Sequence, residues 1–299
     1  MPKDCKILII GASGMLGVDL CQELRRYYKV SGADITPNSQ LPTPNFVRCD
    51  ITDKKNISDV VNKVQPDIVI HAAAMTDVDG CELDPEKAYK INSEGTKNVA
   101  SACKAADAAL VYLSTDFIFD GKKKTPYKEA DRANPLSVYA DSKFKGEAAV
   151  KKILKKYFIL RTSWLYGKNG KNFVDTILKL ARQENCLKVV DDQVGSPTYT
   201  KDLARAIHVL LDKISRELGV GSREYGIYHV SNSGAVSWYE YTKEILKLAK
   251  SKTKVLPISS EELGRPATRP AMSVLDNSKF IKFTGYRMRS WREALRDYV

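Results

Sequence analysis

A glycine-rich turn near the amino terminus constrains the fold of this chain more than any other feature. An apolar run from Lys6 to Ile10 has the character of a buried strand, and Gly11, Gly14 and Gly17 follow it at intervals of three. The spacing of leucines then predicts a helix from Met15 to Arg26. Between a strand and a helix, such glycines let the backbone approach a pyrophosphate at the positive end of the helix. The turn therefore predicts a dinucleotide site.

Segments that follow the first three predicted strands are expected to hold this cofactor. From the turn itself we expect contacts from Gly11, Ser13, Gly14, Met15, Leu16 and Gly17. Asp34 follows the second strand, where a carboxylate can hydrogen-bond the adenosine ribose and repel a 2′-phosphate, which favours NAD(H); a plain turn residue is the alternative. Asp50 and Ile51 follow the third strand and are predicted to reach the adenine, with a loop-capping aspartate as the alternative.

Strand-like and helical segments alternate through the first half of the chain. We predict strands at 6–10, 30–33, 46–48, 68–71, 109–114 and 157–161, and helices at 15–26, 54–64 and 137–154. This alternation is typical of an α/β fold with a Rossmann-type doubly wound parallel sheet. The pattern then loosens, with helices predicted at 172–184 and 200–217, strands at 187–190 and 225–230, and a capping box in which Ser237 and Glu240 open another helix.

The change of pattern predicts two domains. Residues 1–165 form the predicted cofactor-binding Rossmann domain, and residues 166–299 mainly form a smaller C-terminal α/β lobe over the carboxyl edge of the sheet. We expect a soft boundary, because such lobes are often woven from more than one segment.

Composition excludes several classes of protein. The longest apolar stretches, such as Ile7–Ile10, fall far short of the roughly 18 residues that cross a bilayer, so a membrane-spanning protein is excluded. The start of the chain resembles no signal peptide, which predicts a cytoplasmic location. The six cysteines are scattered and the three histidines lie far apart, which disfavours a disulfide framework and a zinc hydrolase.

An excess of positive charge is the feature that composition leaves open. The chain has a net charge of +12, which is compatible with nucleic acid, acidic membranes or phosphorylated small molecules as partners. The lysines cluster on one predicted helix face or loop after another, without interleaved aromatic residues. We therefore expect solvated surface and no sequence-specific binding of nucleic acid.

A tyrosine and a lysine are the candidates for acid–base chemistry. Tyr139 and Lys143 are four residues apart, on one face of a predicted helix. A phenol with a pKa near ~10 becomes a useful acid–base group when a neighbouring cation favours its phenolate. Such a pair also occurs by chance on helix surfaces. The functional interpretation gains from the glycine turn and from Thr115, at the end of the fifth strand, where a hydroxyl could hold a substrate oxygen.

Together these motifs resemble the extended short-chain dehydrogenase/reductase superfamily and, more narrowly, the dTDP-4-dehydrorhamnose reductase family. Beyond the glycine turn, Asn92, Thr115, Tyr139 and Lys143, the resemblance rests on the stretches at His71–Asp79, Ser114–Gly121, Arg161–Gly167, Asp192–Thr198 and Arg265–Pro270. They occur in the family's order and span nearly the whole chain.

The resemblance implies roles for individual residues. Thr115 would bind the keto oxygen of a sugar, Tyr139 would donate its proton, and Lys143 would hold the nicotinamide ribose and tune Tyr139. The residues implied to contact the substrate are Thr76, Val78, Thr115, Asp116, Tyr139, Trp164 and Arg269, with Arg269 on the pyrophosphate. For Trp164, core packing is the alternative. Ala73, Ala74 and Met75 would lie against the cofactor.

The resemblance also implies an activity, the reduction of the C4 keto group of dTDP-4-dehydro-L-rhamnose by NADPH or NADH. Related 4,6-dehydratases carry Asp-Glu after the threonine, whereas this chain has Asp116 and Phe117, which disfavours a dehydratase. The family commonly has tyrosine at the position of Phe117, so the sugar preference is in question. Some members use Mg²⁺ at a dimer interface, but no ligands for it are identifiable here.

Three alternatives stay open at this point. A nucleotide-sugar epimerase uses the same threonine, tyrosine and lysine with a retained NAD. A non-catalytic NADP-binding subunit, similar to the regulatory β subunit of methionine adenosyltransferase, preserves the fold without the activity. A basic nucleic-acid binder is the third. The expected partner is a dTDP-sugar, and we expect no binding to nucleic acid or to a membrane. The chain is predicted to be a monomer or a homodimer.

Overall fold

The computed structural model describes residues 5–38, 45–217 and 224–299. Its strands are β1 (Lys6–Ile10), β2 (Lys29–Asp34), β3 (Phe46–Arg48), β4 (Ile68–His71), β5 (Ala109–Thr115), β6 (Tyr157–Thr162), β7 (Leu165–Tyr166), β8 (Cys186–Val190), β9 (Val194–Gly195), β10 (Thr198–Tyr199), β11 (Gly226–His229), β12 (Val236–Ser237) and β13 (Lys254–Ile258). Its α-helices are α1 (Met15–Leu24), α2 (Lys54–Val64), α3 (Val78–Leu83), α4 (Pro85–Tyr89), α5 (Thr96–Ala105), α6 (Val138–Ile153), α7 (Phe173–Leu180), α8 (Thr200–Glu217), α9 (Trp238–Leu248), α10 (Ser260–Leu263), α11 (Ser278–Thr284) and α12 (Trp291–Tyr298).

The central sheet places the ends of its strands around one crevice. Seven parallel strands lie in the order β11-β6-β5-β4-β1-β2-β3, so the chain winds outward in both directions from the β1–β4 pair. In open sheets of this kind, ligands bind at the carboxyl ends of the strands, where the winding reverses. The predicted fold, a Rossmann-type doubly wound parallel sheet, is confirmed.

Alternation along β1 explains how the sheet is covered on both faces. Ile7 and Ile9 pack into a cluster with residues of α1 and α8, whereas Leu8 and Ile10 pack into a second cluster with residues of α2 and α5. All four side chains are buried. A continuous apolar run is therefore the pattern that a parallel strand covered by helices on both sides requires.

Two local predictions need correction. Helix α7 ends at Leu180 and not at Glu184, because residues 181–184 form a tight turn that lets β8 begin at Cys186, opposite Lys254 of β13. At α9, Ser237 accepts a hydrogen bond from the backbone N–H of Glu240 as expected. The Glu240 side chain pairs with Lys243, so the reciprocal half of the capping box is not among the contacts of the described residues.

The second half of the chain builds a lobe and also returns to the central sheet. Its lobe contains the pairs β7–β10, β9–β12 and β8–β13, over a third apolar cluster that includes Trp291 and Tyr241. Strand β11, however, pairs with β6 in the central sheet, and α8 packs against α1. The division near residue 165 stays a prediction, with two elements of the later segment lying on the earlier one.

No helix in the described part of the chain is long and apolar enough to cross a membrane. The cytoplasmic location stays a prediction. The described cysteines are free, and all but Cys186 are buried.

Candidate active site

One cleft of about 850 Å³ opens at the carboxyl ends of β1, β2, β4, β5 and β6. Every residue that the sequence proposes for the site lines it: Gly11, Ser13, Gly14, Met15, Leu16, Gly17, Asp34, Asp50, Ile51, Ala73, Ala74, Met75, Thr76, Val78, Thr115, Asp116, Tyr139, Lys143, Trp164 and Arg269. Their roles remain predictions, but their spatial convergence is a finding.

Close packing explains the first and third glycines of the turn. Gly11 has φ +87°, and a Cβ there would lie 2.5 Å from the backbone nitrogen of Ala73. A Cβ on Gly17 would lie 2.0 Å from the carbonyl oxygen of Gly11. Gly14 begins α1 without a side-chain cap, and Met15, Leu16 and Gly17 line the cleft at the positive end of the helix. The turn therefore suits a pyrophosphate, as the sequence predicts.

The two predicted adenosine-binding aspartates already have local partners. Asp34 accepts hydrogen bonds from the backbone N–H groups of Ser13, at 3.0 Å, and Ile35, at 2.7 Å. Each carboxylate oxygen has a further lone pair, so Asp34 keeps acceptor capacity toward the cleft. Asp50 accepts from both the backbone nitrogen and the hydroxyl of Thr52. These contacts match the alternative in which Asp50 caps its own loop.

Helix α6 brings Tyr139 and Lys143 to the cleft, on successive turns of one face. The Lys143 ammonium donates to the carbonyl oxygen of Leu113 at 2.7 Å and lies 4.3 Å from the ring centre of Tyr112. Burial lowers the pKa of Lys143 to about 7, against the opposing charge of Glu147. Burial also raises the pKa of Tyr139 above its ordinary value, and its interaction with Thr115 opposes this rise. Ligand-free Tyr139 is therefore a protonated phenol, ready to donate.

Thr115 and Asp116 lie where β5 ends. The Thr115 hydroxyl donates to Oδ1 of Asp116 at 3.1 Å and accepts from the backbone nitrogen of Phe117 at 3.2 Å. Asp116 is buried, and its Oδ2 has no hydrogen-bond partner among the described residues. Burial raises the pKa of Asp116 to about 6, against the opposing effect of the hydroxyls of Ser273, Thr115 and Ser163. An unpartnered buried acceptor beside the cleft is suited to a substrate hydroxyl.

Asn92 fixes the backbone of the loop after β4. It lies in a short π-helical segment, Lys90–Gly95, between α4 and α5. Its amide oxygen accepts from the backbone nitrogen of Met75 at 2.8 Å, and its amide nitrogen donates to the carbonyl oxygen of Met75 at 3.1 Å and to Ser142 at 3.0 Å. These two hydrogen bonds to the backbone of Met75 hold the loop that is predicted to lie against the cofactor.

Sequence reasoning missed a buried ion pair that joins β6 to α6, two elements that contribute residues to the cleft. Arg161 on β6 donates to both carboxylate oxygens of Glu147 on α6, at 2.9 and 2.8 Å, and Ser114 donates to Glu147 at 2.6 Å. The available signal was the position of Glu147, four residues after Lys143 on the same helix face. Its charge is also the one that opposes the loss of the Lys143 proton.

The predicted substrate contacts differ in exposure and in their present partners. Thr76 is exposed at the rim, and Val78 is half-buried at the start of α3. Arg269 pairs with Asp79 at 3.0 Å and donates to the carbonyl oxygen of Ala267. Burial would raise the pKa of Asp79, but the hydrogen bonds from Arg269 and Ala267 bring it below its ordinary value. The cation proposed for the pyrophosphate is therefore held by a carboxylate in the ligand-free protein.

Trp164 has an unusual backbone and an aromatic partner. Its φ of +47° is in the left-handed region, which residues other than glycine rarely occupy. Its indole stacks on Trp238, with ring centres 3.4 Å apart and planes 4° apart. Trp238 also lines the cleft, as do Lys171 and Ser163, and none of the three was proposed from sequence. Trp238 is 74 positions away in the chain, so no local pattern indicates the pair.

Comparison with known proteins places this geometry in a family. The sequence profile of the RmlD substrate binding domain matches residues 5–299. A dTDP-4-dehydrorhamnose reductase of Aggregatibacter actinomycetemcomitans is 36% identical over 98% of this chain and 97% of its own length. The chain belongs to the dTDP-4-dehydrorhamnose reductase family. The resemblance on which the sequence analysis relied is thereby confirmed.

Two other similar proteins add detail. The spore coat polysaccharide biosynthesis protein SpsK of Bacillus subtilis is 41% identical over 98% of this chain and 96% of its own length. A crystal structure is available for dTDP-4-dehydrorhamnose reductase from Bacillus anthracis in complex with NADP. Its chain is 39% identical to this one and superposes with a TM-score of 0.88, over 99% of this chain and 98% of that one. The family's fold thus extends over the lobe as well as the central sheet.

Proposed function

We propose that this protein reduces the C4 keto group of dTDP-4-dehydro-L-rhamnose with NADPH or NADH, giving dTDP-L-rhamnose. One observation carries the proposal. In a chain that matches named reductases over nearly its full length, Thr115, Tyr139 and Lys143 line the same cleft as the glycine turn. The solved B. anthracis relative in complex with NADP supports the choice of cofactor class.

The residues of the cleft suit this chemistry. The reduced nicotinamide supplies a hydride to C4, and the carbonyl oxygen then gains negative charge. The Tyr139 hydroxyl gives its proton to that oxygen, and the ammonium of Lys143 stabilises the phenolate left behind. Thr115 donates a hydrogen bond to the same oxygen, and Arg269 binds the pyrophosphate after leaving Asp79. The buried Oδ2 of Asp116 accepts from a sugar hydroxyl.

Phe117 distinguishes this reaction from dehydration within the same cleft. Its ring meets the ring of Tyr139 edge to face, with centres 6.1 Å apart. Elimination of water needs a second acid–base group beside the tyrosine, and a phenyl ring takes no proton. The position supports reduction, where one proton donor suffices.

The test is an assay of cofactor oxidation with purified full-length protein. With dTDP-4-dehydro-L-rhamnose, we expect one reduced nicotinamide to be oxidised per sugar, followed by absorbance. Tyr139→Phe should lower kcat by roughly 10²-fold or more while leaving NADPH binding intact. Tyr89→Phe is the matched control, because Tyr89 is also half-buried but does not line the cleft.

Other outcomes would contradict the proposal in different ways. Cofactor that stays bound with no net oxidation, while the sugar is converted, indicates an epimerase. Tight binding of NADP without turnover of any nucleotide sugar indicates a non-catalytic subunit.

A further inference from the structure

The stack of Trp164 on Trp238 joins two segments that meet only in the folded protein. Trp164 follows β6, and Trp238 is the first residue of α9. Both indoles are half-buried and both line the cleft. Nearly parallel rings at 3.4 Å cover one another's faces. The pair therefore buries a flat apolar surface inside a cleft that must accept a large ligand.

Both faces of Trp164 are covered. A Cβ at Gly195 would lie 2.4 Å from Cε2 of Trp164 and 2.7 Å from each of its bonded neighbours Cζ2 and Nε1. Beside the edge of the indole, Cζ2 and Nε1 would be closer to this point than Cε2. Because Cε2 is the nearest atom, the point lies above the plane of the ring. Gly195 thus covers one face and Trp238 covers the other. Any group that packs on Trp164 has to replace one of them.

Trp238 is the part that can move. Gly195 is held by the β9–β12 pairing, where it lies opposite Val236. The backbone of Trp164 is held by the hydrogen bond that its carbonyl oxygen accepts from the Thr198 N–H at 3.1 Å, and its ring lies between Gly195 and Trp238. The Trp238 indole turns about two side-chain torsions, and its aromatic neighbours other than Trp164 are Phe173 and Tyr241, whose planes are tilted by 45° and 54° from its own. Tilted contacts hold the ring less firmly than a parallel stack would.

The position of the stack indicates which part of a ligand displaces it. Trp164 lies two residues beyond Thr162, which is the register partner of Thr115. The neighbouring Ser163 also lines the cleft, and its hydroxyl affects the pKa of Asp116. The stack therefore borders the reacting end of the cleft, where the sugar is reduced. A 6-deoxy sugar has an apolar side formed by C–H groups and a methyl group, which suits an indole face.

We propose that Trp238 covers the sugar-binding face of Trp164 in the ligand-free protein, and that the sugar of the nucleotide-sugar ligand displaces it. The inference rests on the proposed function, because it takes dTDP-L-rhamnose as the ligand. Two ligands should therefore differ in their effect on the stack. dTDP alone should bind and leave the two indoles stacked, whereas dTDP-L-rhamnose should separate them.

The experiment uses the full-length chain labelled with 5-fluorotryptophan. The chain has three tryptophans, so three ¹⁹F resonances are expected, and Trp291, which is buried in the lobe, is the internal reference. Stacked rings shift each other's resonances. We expect dTDP-L-rhamnose to move the signals of Trp164 and Trp238, and dTDP to leave both in place.

Calorimetry on variants supplies the second arm. Trp238→Leu removes the competitor for the Trp164 face, so dTDP-L-rhamnose should bind roughly two- to tenfold more tightly while dTDP binds as before. Trp238→Phe keeps a smaller ring and should give an intermediate change. Tyr239→Leu, at the next position of α9 and outside the cleft, should match the wild type.

Two failures are distinguishable. If dTDP-L-rhamnose binds while the Trp238 signal stays unmoved, or if Trp238→Leu weakens its binding, Trp238 is a fixed wall and the displacement is overturned, while the proposed reductase function stands. If calorimetry shows no binding of dTDP-L-rhamnose to the wild type, the proposed function is overturned, and the displacement with it.

Discussion

The Thr115 hydroxyl gives its single proton to Oδ1 of Asp116, 3.1 Å away. A hydroxyl has one hydrogen, so Thr115 can donate to a substrate oxygen only when this bond is exchanged. Asp116 is buried, and its second oxygen has no partner among the described residues. The two adjacent residues therefore link the substrate-binding state of Thr115 to the hydrogen bonds of a buried carboxylate.

Asp116→Asn should stabilise the protein at neutral pH. Burial raises the pKa of Asp116 from its ordinary value to about 6, so the native state binds more protons than the unfolded state between about pH 4 and pH 6. Stability is lost as pH rises through this window, and the charged form costs roughly 1–3 kcal/mol above it. Asparagine avoids that cost. Urea unfolding at pH 7 should show the gain, and measurements below about pH 4 should show little difference from the wild type. An equal effect at both pH values would contradict the assignment.

Lys143→Arg should change the pH profile of the reduction. Burial lowers the pKa of Lys143 to about 7, so the ammonium that stabilises the Tyr139 phenolate is lost as pH rises through 7. We expect kcat/KM of the wild type to fall on that side. Arginine stays charged, so the alkaline limb should move to much higher pH even though the peak rate is lower. A limb that stays near pH 7 in Lys143→Arg would assign it to another group.

Gly17→Ala should destabilise the protein and abolish cofactor binding. A Cβ there would lie 2.0 Å from the Gly11 carbonyl oxygen, which is backbone and cannot move away cheaply, so we expect a loss of roughly 3 kcal/mol or more. Gly14→Ala is the matched control in the same turn, because its Cβ would lie 3.3 Å from the same oxygen. Thermal unfolding of the ligand-free variants should separate the two, and NADPH should not raise the unfolding temperature of Gly17→Ala. Equal behaviour of both variants would refute the packing argument.

Asp34→Asn should shift the cofactor preference toward NADPH. Asp34 lies at the end of β2 with lone pairs left for a ribose, and its negative charge disfavours a 2′-phosphate. Asparagine removes the repulsion and can keep one of the two backbone hydrogen bonds, because Ser13 and Ile35 donate to different carboxylate oxygens and an amide has one acceptor oxygen. The ratio of kcat/KM for NADPH to that for NADH should rise several-fold. An unchanged ratio would mean that other residues select the cofactor.

The fold was predictable from the sequence because its signals are local. The apolar run at Lys6–Ile10 and the glycines after it describe a strand, a turn and a helix that are contiguous in the chain. The end of α7 was not predictable in the same way. Residues 181–184 continue a helical pattern, but pairing between β8 and the distant β13 requires the chain to turn there.

The residues of the site also differ in whether a local pattern indicates them. Tyr139 and Lys143 share a helix face, so their spacing alone indicates them. Trp238 and the Arg161–Glu147 pair depend on contacts between segments far apart in the chain. Sequence spacing contains no information about such contacts. The family resemblance supplied Trp164, but not the ring that covers it.

Strand β11 has a consequence for any attempt to divide the protein. It is the outermost strand of the central sheet, and it covers the hydrogen-bonding edge of β6. A fragment that ends near residue 165 would leave that edge bare, with the apolar side chains of Phe158 and Leu160 beside it. Such a fragment would tend to pair with copies of itself and aggregate. The central sheet thus depends on a late part of the chain to cover its edge.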